Sequence, residues 1–171
     1  MDKYILMIGG PICAGKTTVS DLILKKEKRL FRPSFDKLKV QLSDFEAEKD
    51  RALIMDLLFV LCKELVNKDI SIIVEGSASI MNEMREFYTS LAKTKGYKYV
   101  EVNIEASREE LLRRLAIRVA EGKSVSVNNE EQFMIRYNKY LEKRDPNCQV
   151  FSSETNTADE ITDSIIQLLH Q

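Results

Sequence analysis

Gly10-Pro11-Ile12-Cys13-Ala14-Gly15-Lys16-Thr17 fits the pattern G-x-x-x-x-G-K-[ST] at every fixed position. The apolar run Tyr4–Ile8 leads directly into it, and an amphipathic pattern marked by Val19, Leu22 and Ile23 leads directly out. A strand, a glycine-rich turn and a helix in that order constrain the chain strongly. The glycines let backbone N–H groups turn inward around phosphate oxygens, where a Cβ would obstruct. The helix beginning near Gly15 adds unpaired N–H groups and the positive end of its dipole. The segment therefore predicts a phosphate loop, with Gly10, Pro11, Ile12, Cys13, Ala14, Gly15, Lys16, Thr17 and Thr18 as nucleotide contacts. Lys16 supplies a point charge at the β- and γ-phosphates, and the Thr17 hydroxyl a ligand for Mg²⁺. The guanine-reading string N-K-x-D and the γ-phosphate-sensing string D-x-x-G do not occur, Asn67-Lys68-Asp69 being one residue short of the first. That argues against a GTP switch.

The rest of the chain reads as one domain, residues 1–171, since no repeat, low-complexity tract or Pro/Gly/Ser-rich linker divides it,. Strand candidates are Tyr4–Ile8, Leu30–Phe35, Ser71–Val74, Tyr97–Ile104 and Gln149–Phe151. Helical patterns lie between them: a buried-looking stretch over 51–66, and Ile80, Met84, Phe87 and Leu91 at helical spacing. Ser107-x-x-Glu110 and Thr157-x-x-Glu160 each precede an apolar helical period and read as capping boxes,. Phe133, Tyr137 and Tyr140 read as helix packing. Strands alternating with helices predict a parallel sheet covered on both faces. Residues 105–145 read as an insertion of two helices joined by Gly122-Lys123-Ser124-Val125-Ser126.

Composition removes several classes of function. Twenty-six basic residues against 27 acidic ones give a net charge of −1, which disfavours a polyanion binder acting by bulk charge,. Cys13, Cys62 and Cys148 lie far apart with no CxxC pair, so neither a disulfide framework nor a structural zinc site is expected,. The single histidine, His170, stands beside the end of the sequence, which disfavours a Ser-His-Asp triad or a histidine base. The apolar run at Tyr4–Ile8 is too short for a signal peptide, and Leu53–Cys62 is broken by Asp56,. A cytoplasmic protein with no membrane partner is the expectation.

Phosphoryl transfer asks mostly for positioning and positive charge, with a base to take the acceptor's proton where one is used. Asp36 is the candidate base, because the second strand candidate ends there and strand C-termini in an open parallel sheet face the ligand crevice. Its plainer reading is a helix cap before Lys37–Leu42. Glu75 ends the third strand candidate and suits a magnesium-bound water or a substrate hydroxyl; otherwise it is an exposed strand-end acid. Arg114 and Arg118 are helical neighbours that, on a lid, would close over the phosphates with planar, permanently charged forks. The alternative is intrahelical pairing of Glu110 with Arg114. Cys13 lies in the loop near Lys16, where a lowered thiol pKa and a redox role compete with simple tolerance of Cys. Residues 25–39 hold seven basic residues against two acidic ones, either a solvated face or a rim that attracts an anionic substrate,.

With GGPICAGKTT, Ser34-Phe35-Asp36, the segment IIVEGS and Arg114-x-x-x-Arg118 in view, the chain resembles the small P-loop kinases of the adenylate-kinase-like group. It is most similar to the branch holding polynucleotide 5′-hydroxyl kinases, gluconate kinases, chloramphenicol phosphotransferase and zeta toxins. The resemblance covers nearly the whole chain. It implies an α/β, three-layer P-loop NTPase fold: a five-stranded parallel sheet with helices on both faces and a short helical lid. It also implies ATP with Mg²⁺ and transfer to an acceptor hydroxyl, with Lys16, Asp36, Arg114 and Arg118 catalytic and Asp36, Lys39 and Glu75 on the acceptor side. Lys39 stands where relatives carry Arg, and Glu75 where they often carry Asp. The acid-Gly pair is closer to zeta-toxin-like kinases of nucleotide sugars. The expected function is thus an ATP-dependent kinase acting on a small metabolite, a nucleoside or a nucleic-acid end, nucleic acid entering only as substrate. The rival is an ATP-binding regulatory module with no acceptor of its own.

Overall fold

The computed structural model describes residues 2–76, 82–123 and 127–171. The elements run β1 (Tyr4–Gly9), α1 (Lys16–Lys26), β2 (Leu30–Phe31), α2 (Phe35–Lys39), α3 (Ala47–Asn67), β3 (Ser71–Glu75), α4 (Asn82–Lys95), β4 (Lys98–Glu105), α5 (Arg108–Ala120), α6 (Glu130–Lys143), β5 (Gln149–Ser152) and α7 (Ala158–Leu169). The five strands form one parallel sheet in the order β2-β3-β1-β4-β5. This is the three-layer α/β P-loop arrangement, and it puts the phosphate-loop strand at the centre.

All six residues of β1 are buried because it has a strand on either side and helices on both faces,. Successive side chains alternate between the two layers. Leu6 and Ile8, with Val102 and Ile104 of β4, meet Val19 and Ile23 of α1, Leu111 and Leu115 of α5, Phe133 of α6 and Ile161 and Ile165 of α7. Ile5 and Met7, with Ile72 and Val74 of β3, meet Leu58, Cys62 and Val66 of α3 and Met84 and Tyr88 of α4. The aromatic spacing in α6 is packing, with Phe133 and Tyr140 buried and Tyr137 stacked on Phe133.

Four sequence expectations need adjustment. The second strand stops at Phe31, not Phe35: Pro33 has no N–H for a ladder, and the Ser34 hydroxyl accepts from the Lys37 N–H to start α2,. The fourth begins at Lys98, since the Tyr97 N–H closes the end of α4 on the Ala92 carbonyl. The 51–66 stretch lies inside α3 but is buried on one side only; Ile54, Leu58, Cys62 and Val66 face the sheet while Leu53, Leu57 and Val60 are exposed. The capping box at Thr157 is complete, whereas at Ser107 only the hydroxyl half forms. There the Glu110 carboxylate takes Arg113 and Arg114 instead. Ile80 and the Ser124–Ser126 part of the α5–α6 connection lie outside the described residues.

Candidate active site

The chain leaves β1 at Gly9 and turns into α1 through residues 10–15. Gly10 is required by space, since a Cβ there would stand 2.1 Å from the Ile104 carbonyl oxygen of β4. Gly15 caps α1 in a left-handed conformation, at φ 93°. No side chain caps this helix and no acid stands in its first turn, so its leading N–H groups are left for an anion,. Cys13, which has a Cβ, is also left-handed, at φ 66°. The Lys16 ammonium donates to the Pro11 carbonyl at 2.6 Å. Burial holds it down at about 8, against an ordinary 10.5, with Arg118 adding to the shift and Glu75 and Cys13 opposing it,. Thr17 and Thr18 are exposed at the mouth of the loop.

Glu75 ends β3, the strand next to β1, and faces the same place. Its carboxylate is only 21% exposed; it accepts from the Ser20 hydroxyl at 2.9 Å and has Arg32 Nη1 at 3.5 Å. It is therefore not a water-exposed strand-end acid. Arg32 also lies 2.7 Å from Asp21 of α1. Sequence reasoning missed Ser20, Asp21 and Arg32 as parts of this cluster. Ser20 could have been found, because it stands one helical turn beyond Lys16 on α1.

Asp36 does not end a strand. It sits in the first turn of α2, exposed, with Lys39 Nζ 2.6 Å away, and the cap of that helix is Ser34 rather than Asp36. Much of the basic run is matched locally: Lys26 by Asp163, Arg29 by the Lys68 carbonyl, Arg32 by Asp21, and Lys39 by Asp36.

Arg114 and Arg118 separate in environment. Arg114 is half-buried, and its fork reaches Glu110, the Ser153 hydroxyl and carbonyl, and the Cys13 carbonyl. Glu110 is held at about 2 by Arg113 first and Arg114 second. The intrahelical pair therefore forms, and a contact to the phosphate loop forms beside it. Arg118 is exposed, and its charge is felt at Lys16.

Mg²⁺ that accompanies phosphates keeps several waters and takes only one or two protein oxygens. The exposed Thr17 hydroxyl and the partly open Glu75 carboxylate fit that demand. Among the described residues no cluster of three His, Cys, Asp or Glu stands ready as an all-protein cage. Cys13, Cys62 and Cys148 are free thiols. Among the described residues, no helix is long and apolar enough to cross a membrane.

Known structures share this architecture over nearly their full length. The Mycobacterium tuberculosis APS kinase CysC, solved with AMPPNP and APS, is 18% identical with a TM-score of 0.66, covering 99% of both chains. Shikimate kinase from Aquifex aeolicus is 17% identical with a TM-score of 0.62, covering 97% of this chain and 96% of its own. The tunicamycin resistance protein of Deinococcus radiodurans is 13% identical with a TM-score of 0.65, covering 98% and 95%. At these identities the likeness is one of fold. No curated protein matches the sequence. The AAA domain profile matches residues 5–140, most of the sheet and the whole phosphate loop, and the chain belongs to that family.

Proposed function

We propose that the protein is an ATP-dependent phosphotransferase that moves the γ-phosphate to a hydroxyl of a small metabolite, nucleoside or nucleic-acid end. The observation that carries this reading is the uncapped, acid-free N-terminus of α1 beside a half-buried Lys16, with Glu75 and Arg118 both close enough to move its pKa. Such a site gathers positive charge and N–H donors where a triphosphate would sit. The kinase neighbours, one of them solved with AMPPNP and APS, agree with it.

In this reading the N–H groups of residues 13–18 hold the β- and γ-phosphates, and Lys16 turns from the Pro11 carbonyl onto them. Thr17 and, through water, Glu75 would hold Mg²⁺, which when bound draws charge from the phosphate oxygens. Arg118 covers the transferring group from a lid formed by α5 and α6. Asp36 takes the proton from the acceptor hydroxyl as the new O–P bond forms and the bond to the ADP oxygen breaks. Its pairing with Lys39 keeps the carboxylate oriented until the acceptor arrives.

Asp36→Asn tests the base directly. We expect kcat to fall by about 10²–10⁴-fold with the ATP KM nearly unchanged. Full turnover in that variant would remove Asp36 from the chemistry.

A further inference from the structure

Cys13 is the one residue between Gly10 and Thr18 that holds a left-handed φ while carrying a Cβ. That conformation crowds the Cβ against the following carbonyl and is disfavoured for any side chain. It has a purpose here. Cys13 and Gly15 are left-handed and Ala14 between them is not, and alternating hands along a backbone turn successive N–H groups into one concavity that takes an anion.

The group that meets the strained residue is Arg114. Its Nη1 lies 3.3 Å from the Cys13 carbonyl oxygen. The rest of the fork is anchored away from the loop: Nε on Glu110 at 2.7 Å, Nη1 on the Ser153 hydroxyl at 3.0 Å, and Nη2 on the Ser153 carbonyl at 2.8 Å. Ser153 is itself pinned, its N–H and its hydroxyl both donating to the Glu105 carbonyl at the end of β4. The guanidinium is therefore placed by α5 and by the turn after β5, so its remaining contact fastens the loop to a fixed point.

We propose that Arg114 is a positioning residue for the phosphate loop: it holds Cys13 in the left-handed conformation that shapes the N–H cradle, and acts on bound phosphate through the Cys13 carbonyl. This rests on the phosphate-binding reading of the loop and differs from a lid arginine that touches the phosphates.

The test is a double-mutant cycle read by calorimetric binding of inorganic tripolyphosphate with Mg²⁺. Glycine adopts a positive φ without strain, so it should make the clamp unnecessary. Arg114→Ala in the natural background should weaken binding by about tenfold, the scale of one left-handed penalty. Arg114→Ala in a Cys13→Gly background should bind within about threefold of Cys13→Gly alone, the coupling expected when one residue acts through the other. A double variant that stays as weak as Arg114→Ala overturns the proposal, because the arginine then acts on the phosphate itself. If circular dichroism shows Arg114→Ala unfolded, Arg114→Lys replaces it in the same cycle; the charge is kept, the fork is lost, and the same rescue is required. Tripolyphosphate that binds neither the natural protein nor its Lys16→Ala variant would overturn the phosphate-loop reading together with this one. Binding to the natural protein without rescue overturns this one alone.

Discussion

Burial holds the Lys16 ammonium at about 8, so its charge is lost within the range where most enzymes are assayed. A phosphate ligand needs the charged form. The Kd for Mg-ATP should therefore be flat below about pH 7 and rise by about tenfold per pH unit above 8, as linkage requires. Calorimetric titrations from about pH 6.5 to 9.5 check this, and a flat profile contradicts it. The sign for folding is opposite. The folded-state pKa lies below the ordinary one, so folding is disfavoured by this group below about 8 and recovers as pH rises toward 10.5,. Lys16 and Thr17 are legible in the sequence because a phosphate loop is a contiguous string whose chemistry is backbone-local. Arg32 is not, because its place between Asp21 and Glu75 depends on α1 and β3 meeting across more than 40 residues of chain. The pairing of Asp36 with Lys39 was hidden for a nearer reason: it exists only because β2 stops at Phe31 and a helix begins at Phe35.

Helix starts show how far local signals reach. At α7 the Thr157 hydroxyl accepts the Glu160 N–H while the Glu160 carboxylate accepts the Thr157 N–H, as the spacing predicts. At α5 the same spacing yields half the motif, since Arg113 and Arg114 take Glu110 and the Ser107 N–H turns to Glu154. Spacing can propose a carboxylate as a cap partner, but it cannot weigh that partner against two guanidinium groups on the same helix. Thr157→Ala should cost about 1 kcal/mol and lower Tm by about 2–4 °C. Ser107→Ala, losing a single bond, should cost less than Thr157→Ala in the same calorimetric scan. Equal losses would contradict the difference between the two helix starts. In α3 the apolar run 53–62 exceeds what one buried face needs, which is why it reads as fully buried and is not.

Over the whole molecule, strand–helix alternation fixes a parallel sheet, but the order β2-β3-β1-β4-β5 comes from which strands pair, and no local string carries that. Residues far apart in the sequence meet at one cluster: His170, just after α7, contacts Asp2 and Glu27 and sits edge-on to the Tyr4 ring. Hydrogen bonds to Asp2 and then Glu27 raise the His170 pKa above its usual 6.5. A raised histidine stabilises the fold fully below the unfolded pKa and loses that stabilisation as pH rises through the folded one. The side chains are partly exposed, so solvent screening limits the effect to about 1 kcal/mol or less. Tm should fall by at most about 2–4 °C as pH rises through the folded-state pKa from this source, and His170→Gln should remove that part of the slope. An unchanged slope in the variant would contradict the contact's role.

In the proposed reaction the loop, Lys16 and Asp36 together carry phosphoryl transfer to a hydroxyl. Transfer of label from γ-phosphate-labelled ATP with Mg²⁺ tests it most directly, using a panel of 5′-hydroxyl DNA and RNA oligonucleotides, nucleosides, nucleotide sugars, sugar acids and aminoglycosides. Label on one acceptor class, lost in Lys16→Ala and in Asp36→Asn, is the predicted result. Label that persists in Lys16→Ala, or tight Mg-ATP binding with no transfer to any acceptor, would contradict the account.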